Sequence, residues 1–130
     1  MTSLELTEDM LAAAYELMLE THPLCDWNLP PATEIKFVIL DTTKDYGRCW
    51  TSWRKRKYQD SLRFKIGISK QTVHSLDRLL RVMAHEMIHV YEGLSSNSGA
   101  EQTRRGKHSK LFYDCQDAIC AALGWDNPLT

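Results

Sequence analysis

Residues 76–94 constrain the fold of this chain more than any other stretch. Their apolar residues recur every three or four positions, which predicts an amphipathic helix with one stripe facing a core. The helix is expected to run from Leu76 to Gly93, where the glycine can close it. The predicted stripe consists of Leu76, Leu79, Leu80, Met83, Met87, Ile88, Tyr91 and Leu94.

Within this helix lies the sequence His85-Glu86-Met87-Ile88-His89. Histidines four residues apart lie one turn above each other, so both imidazoles can reach one metal ion. Glu86 is turned about 100° away from His85, which places its carboxylate beside such an ion. We predict His85 and His89 as metal ligands and Glu86 as the catalytic base that takes a proton from the attacking water. The alternative is a polar helix flank whose histidines only bond to neighbours.

A third ligand is needed, because a catalytic zinc normally has three protein ligands and one open position. The extended metzincin motif would require Gly at position 92 and His at position 95, but the chain has Glu92 and Ser95. His108 fits best, because it opens the last predicted helix and because imidazole suits zinc. Glu101 is the leading rival, although it lies in the polar 95–107 loop. Glu92 more often supports a ligand or faces solvent.

The other hydrophobic patterns predict an α+β fold in a single domain, residues 1–130. Thr7 is expected to cap an N-terminal helix that ends near Thr21. Short connections between three predicted strands favour a mostly antiparallel meander. The strands are expected at 34–40, 46–53 and 61–68, and a C-terminal helix at 108–123.

Composition indicates an intracellular protein, cytoplasmic or in the nucleoid or nucleus. No apolar run reaches the length of a membrane span, and the N-terminus does not resemble a secretory signal. The four cysteines form no C-x-x-C pair, which favours reduced thiols over a disulfide framework. We expect a monomer that does not bind membranes. His22 and His74 are expected to be solvated.

Charge is segregated along the chain. Residues 1–43 carry a net charge of −7 and residues 44–81 carry +8. Within the basic segment, aromatic and basic residues alternate in a way that can stack bases and neutralise phosphates. The alternative is a charged sheet edge with tryptophans in the core. The candidate nucleic-acid-binding residues are Trp50, Trp53, Arg54, Lys55, Arg56 and Lys57.

The histidine motifs resemble those of the SprT-like (Spartan) family of zinc metallopeptidases. His85-Glu86-Met87-Ile88-His89 followed by His108-Ser109-Lys110-Leu111-Phe112 is similar to that family's H-E-x-x-H and distal H-G-x-x-F/W. Gly47-Arg48-Cys49 and Ala122-Leu123-Gly124 extend the likeness over roughly residues 35–125. Ser109 stands where the family usually has glycine, and the family's C-terminal cysteine ribbon is not seen.

The resemblance implies a zincin-like minimal catalytic core, with Zn²⁺ held by His85, His89 and His108 and with Glu86 as base. It also implies a protein substrate and a partnership with single-stranded or damaged DNA, because Spartan-like proteases cleave proteins crosslinked to DNA. Three functions remain open: a DNA-associated zinc protease, a zinc protease that acts on a soluble partner without DNA, and a non-catalytic nucleic-acid-binding module with structural zinc.

Overall fold

Over the described residues the fold is α+β, with three α-helices and one small mixed sheet. The computed structural model describes residues 4–51, 64–95 and 108–130. The helices are α1 (Glu8–Leu19), α2 (Leu76–Ser95) and α3 (Lys110–Leu123), and the strands are β1 (Ile35–Leu40), β2 (Gly47–Thr51) and β3 (Phe64–Ser69). No helix within these residues combines the length and the apolarity needed to cross a bilayer.

Local sequence signals place the start of α1 and the end of α3 correctly, but not the end of α2. Thr7 caps α1, because its hydroxyl accepts the Met10 N–H at 3.1 Å. Gly124 ends α3 in the left-handed conformation that glycine adopts without steric cost. The prediction that Gly93 closes α2 is wrong. A Cβ at Gly93 would lie 3.1 Å from the Phe64 ring and 3.2 Å from Thr51, so this glycine lets the helix approach the sheet.

The predicted antiparallel meander is also wrong, because the strand order is β1-β3-β2. β3 pairs in parallel with β1 and antiparallel with β2. β3 is buried along its length except at the half-buried Lys65, which agrees with its position as the central strand of the sheet. Ser69 fixes the 41–46 connection around the end of β3: its N–H donates to Tyr46 at 2.8 Å and its hydroxyl donates to Thr42 at 2.5 Å. The connection between β2 and β3 lies outside the described residues.

The core lies between one face of the sheet and the three helices. α2 packs against β2 and β3 on one side and against α1 and α3 on the others. Its middle is therefore buried on more than one face, and Val82, Ala84 and Val90 join the predicted stripe. The stripe itself is confirmed in the middle of the helix, while Leu76 and Leu94 at its ends are exposed. This packing holds the segment 85–89 rigidly beside the sheet.

Candidate metal centre

Three histidines converge at the end of α2 nearest to the start of α3. The ring centroids of His85, His89 and His108 are 5.3 Å apart in each of the three pairs. One nitrogen from each lies within 4.8 Å of the other two. An ion at their centre would be at most about 2.8 Å from each nitrogen, so small movements would reach the zinc–imidazole distance of about 2.0–2.1 Å. We call these residues the three-histidine cluster; it could hold a metal ion.

His108 reaches the cluster because the start of α3 is anchored from two sides. Ser109 caps the helix by accepting the Phe112 N–H at 3.1 Å. The buried Phe112 ring stacks on His108 at a centroid distance of 3.9 Å and contacts His85 and His89 edge-on or tilted at 4.9 and 5.0 Å. Phe112 therefore forms an apolar floor that all three imidazoles share.

Two of the histidines have a partner on Nδ1. His89 Nδ1 donates to the Glu92 carboxylate at 2.8 Å, and Ser109 Oγ donates to the other oxygen of Glu92 at 2.5 Å. His85 Nδ1 lies 3.4 Å from the hydroxyl of Thr130. Such partners fix the tautomer and the orientation of a metal-binding imidazole and leave Nε2 for the ion.

The link from Ser109 through Glu92 to His89 predicts an effect on metal affinity. Ser109→Gly is expected to lower the affinity of the three-histidine cluster for Zn²⁺ by about 10- to 100-fold, because Glu92 loses one of the two donors that orient it. Glycine is itself an acceptable helix cap, so α3 should lose only a few tenths of a kcal/mol. Competition with a chromophoric chelator measures the affinity.

Ser75→Gly is the matched control. The Ser75 hydroxyl accepts the Arg78 N–H at 3.1 Å at the start of α2 and has no contact with the cluster. An equal loss of zinc affinity in both variants would mean that helix capping, and not the Glu92 contact, is responsible.

Glu86 lies beside the cluster as a buried carboxylate. It is 4% exposed, and within the described residues no hydrogen bond or ion pair reaches it. Burial raises the pKa of Glu86 to about 7, against the opposing effect of His89. A Cβ at Gly47 would lie 3.1 Å from Glu86 Oε2, so this glycine on β2 makes the space that the carboxylate occupies. A buried carboxylate without a protein partner is suited to bind a water molecule.

The electrostatics favour the neutral imidazole at His85 and at His108. Burial, together with the neighbouring His89 and His108, lowers the pKa of His85 to about 3. Burial and His89 also lower the pKa of His108. Burial alone would raise the pKa of Glu92, but its hydrogen bonds from His89 and Ser109 outweigh that effect and lower it. At neutral pH the lone pairs of His85 and His108 are therefore available, as metal binding requires.

Other sequence-predicted residues are placed as follows. Trp50 lies on the solvent face of the sheet, away from the cluster. His74 is exposed and bonds to the Gln71 carbonyl. Glu101, Trp53 and the basic run Arg54, Lys55, Arg56 and Lys57 lie outside the described residues.

Sequence reasoning missed the contribution of Ser109. In the sequence this serine is only a departure from a motif, because its contact to Glu92 joins residues 17 positions apart. It also missed a second group, His22, Cys25 and Asp26, that the structure brings together.

No protein-family model matches the chain, and no curated protein matches it either.

Proposed function

We propose that this chain is a zinc-dependent endopeptidase of the H-E-x-x-H class with a zincin-like fold. The observation that carries the proposal is the pairing of the three-histidine cluster with the buried carboxylate of Glu86, which has no partner among the residues that the structure describes. A structural zinc site is normally closed by four protein ligands and needs no base. Three imidazoles with an adjacent carboxylate fit a hydrolytic site better than a structural one.

In the proposed mechanism His85, His89 and His108 would hold Zn²⁺, because their ring nitrogens converge. The ion would lower the pKa of the attacking water and polarise the scissile carbonyl. Glu86 accepts the proton of that water and passes it to the leaving amine. The hydrogen bond to Glu92 keeps the His89 ring in place through the cycle.

A protein substrate fits the position of β2. This strand is at one edge of the described sheet, and its first residue, Gly47, lies against Glu86. An extended peptide can pair with the free N–H and C=O groups of such an edge. A peptide bound along β2 would pass close to the proposed base.

Metal removal tests the proposal. The purified protein is expected to cleave an unfolded substrate such as casein, to lose that activity on treatment with a zinc chelator, and to regain it when Zn²⁺ is added back. The release of soluble peptides measures cleavage. Activity that survives complete removal of zinc would contradict the proposal.

We also propose that the substrates are DNA-associated, because the outer face of the sheet combines an aromatic ring with cations. Lys65 Nζ lies 4.5 Å from the Trp50 ring centroid, and the Arg48 guanidinium lies 5.7 Å from it. In the strand register Lys36 stands next to Lys65, which stands next to Trp50. This row across three strands can contact phosphates and stack a base, as single-stranded DNA requires.

Substitution of Trp50 tests the DNA proposal. Trp50→Ala is expected to weaken single-stranded DNA binding by roughly 5- to 150-fold, the value of one stacked base, while Trp50→Phe keeps most of the affinity. Gel-shift titration at two salt concentrations measures both affinity and the salt dependence that phosphate contacts impose. An absent or salt-insensitive shift would favour a protease that acts on a soluble partner without DNA.

A further inference from the structure

A second group of metal-ligating side chains lies in the turn that follows α1. His22 Nδ1 is 3.2 Å from one carboxylate oxygen of Asp26, and Cys25 Sγ is 3.8 Å from the other. One ligand atom from each of the three residues lies within 4.8 Å of the other two. The group shares no residue with the three-histidine cluster.

We propose that His22, Cys25 and Asp26 form a second metal site that binds Zn²⁺ or a similar divalent transition-metal ion, with the fourth position open to water. The function proposed above neither requires this site nor depends on it. We call it the cysteine-containing site.

The distances lie close to those of tetrahedral coordination. Zinc bonds of about 2.0–2.2 Å to nitrogen or oxygen and about 2.3 Å to sulfur place neighbouring ligand atoms about 3.3–3.6 Å apart. His22 and Cys25 contact different oxygens of Asp26, at 3.2 and 3.8 Å, and one ligand atom from each residue lies within 4.8 Å of the other two, so small side-chain rotations would bring the three donors to one ion. Nitrogen, thiolate and carboxylate together are a donor set that suits zinc and disfavours Mg²⁺ or Ca²⁺, which prefer oxygen ligands.

The backbone holds the three side chains in one short turn. The Cys25 N–H donates to the Thr21 carbonyl and the Asp26 N–H donates to the Pro23 carbonyl, both at 3.0 Å. Leu24, between the ligands, is fully buried and anchors the turn to the core. The ligands are therefore close together before an ion binds, which lowers the entropy cost of binding.

Exposure and charge make the site accessible to a cation. The side chains of His22 and Asp26 are 71% and 66% exposed, so a hydrated ion can reach them. Of the four cysteines Cys25 is the exposed one, whereas burial raises the pKa of Cys49, Cys115 and Cys120. The surrounding segment 1–43 carries a net charge of −7, which attracts cations.

Metal binding would release one proton from the site. The Cys25 thiol loses its proton to solvent as the sulfur–metal bond forms, and His22 binds as the neutral imidazole. The contacts of both side chains to Asp26 are replaced by bonds to the common ion.

Cobalt(II) titration of the full chain, under a phosphine reductant, tests the proposal. The absorption spectrum of bound cobalt(II) depends on the atoms that coordinate it. A thiolate ligand gives an intense charge-transfer absorption in the near ultraviolet, which a site of three imidazoles cannot give. We expect this band in the parent protein, its loss in Cys25→Ser, and its retention in His108→Ala. Asp26→Asn, which keeps the thiol, should require a higher cobalt concentration for the same band.

A parent protein without the charge-transfer band, or a band that survives in Cys25→Ser, would overturn the cysteine-containing site. Neither result bears on peptide hydrolysis, because Glu86 and the three-histidine cluster are unchanged in Cys25→Ser. Conversely, a parent protein that shows the charge-transfer band but does not cleave protein would count against the proposed function alone.

Discussion

Glu86→Gln is expected to lower peptide hydrolysis by about 10²- to 10⁴-fold while the zinc content stays at the level of the parent protein. The glutamine side chain has nearly the same size, so it fits the space beside Gly47. It cannot accept the proton of the attacking water. Since the three imidazoles are unchanged, the ion should still bind. Steady-state cleavage of a fluorogenic peptide and elemental analysis of the same sample measure the two quantities.

The matched control is Glu16→Gln, which makes the same chemical change at an exposed position of α1. It should cleave like the parent. If Glu86→Gln also cleaved like the parent, Glu86 would not be the base. If it instead lost its zinc, the carboxylate would contribute to metal binding and the proposed division of roles would be wrong.

The environment of Glu86 also sets the direction of the pH dependence. A general base acts in its deprotonated form, so the parent rate should rise with pH through the pKa of Glu86 and then level off. Burial raises that pKa to about 7 in the metal-free protein, and a neighbouring dication would lower it. The acid limb is therefore expected at or below about pH 7, and the residual rate of Glu86→Gln should lack it.

Local sequence signals predicted the helices well, because caps and apolar periodicity act over a few residues. Thr7 caps the start of α1 and Gly124 ends α3, as expected. Gly93 shows the limit of such signals. Glycine is favoured both where a helix ends and where it packs closely against a neighbouring element, and only the packing partners, here the side chains of Phe64 on β3 and Thr51 on β2, distinguish the two.

Strand order could not be predicted from connection lengths. The meander followed from the assumption that consecutive strands pair, yet β3 inserts between β1 and β2. The burial of Gly67 and Ser69, which stand on the outer side of β3 by alternation, marks it as the central strand. Their small side chains gave no hydrophobic signal in the sequence.

The candidate site was predictable where its residues share a helix and less so where they do not. The spacing of His85 and His89 fixes their relation within one turn. His108 was chosen by ligand count, and the packing of α3 through Phe112 brings it to the other two. The contact of Ser109 with Glu92 depends on the same packing, which is why no local pattern could indicate it.

The second large effect is expected for His108→Ala, which should reduce zinc affinity at the three-histidine cluster by more than about 100-fold. Loss of a residue that only supports a ligand typically costs 10- to 100-fold, and loss of a ligand itself should cost more. Two imidazoles on one helix would remain, too few for a catalytic zinc. Because Phe112 still supports α3, the fold should survive, and circular dichroism checks this.

The measurement is best made in a Cys25→Ser background, so that only the three-histidine cluster contributes bound zinc after dialysis against a buffer of low, fixed free zinc concentration. His74→Ala in the same background is the control, because the His74 ring is exposed and bonds to the Gln71 carbonyl rather than to a residue of the cluster. It should retain one equivalent, whereas His108→Ala should retain almost none and should not cleave protein. If His108→Ala kept its zinc, a residue such as Glu92 or Glu101 would have to supply the third ligand. The arrangement of three imidazoles around one ion would then be wrong.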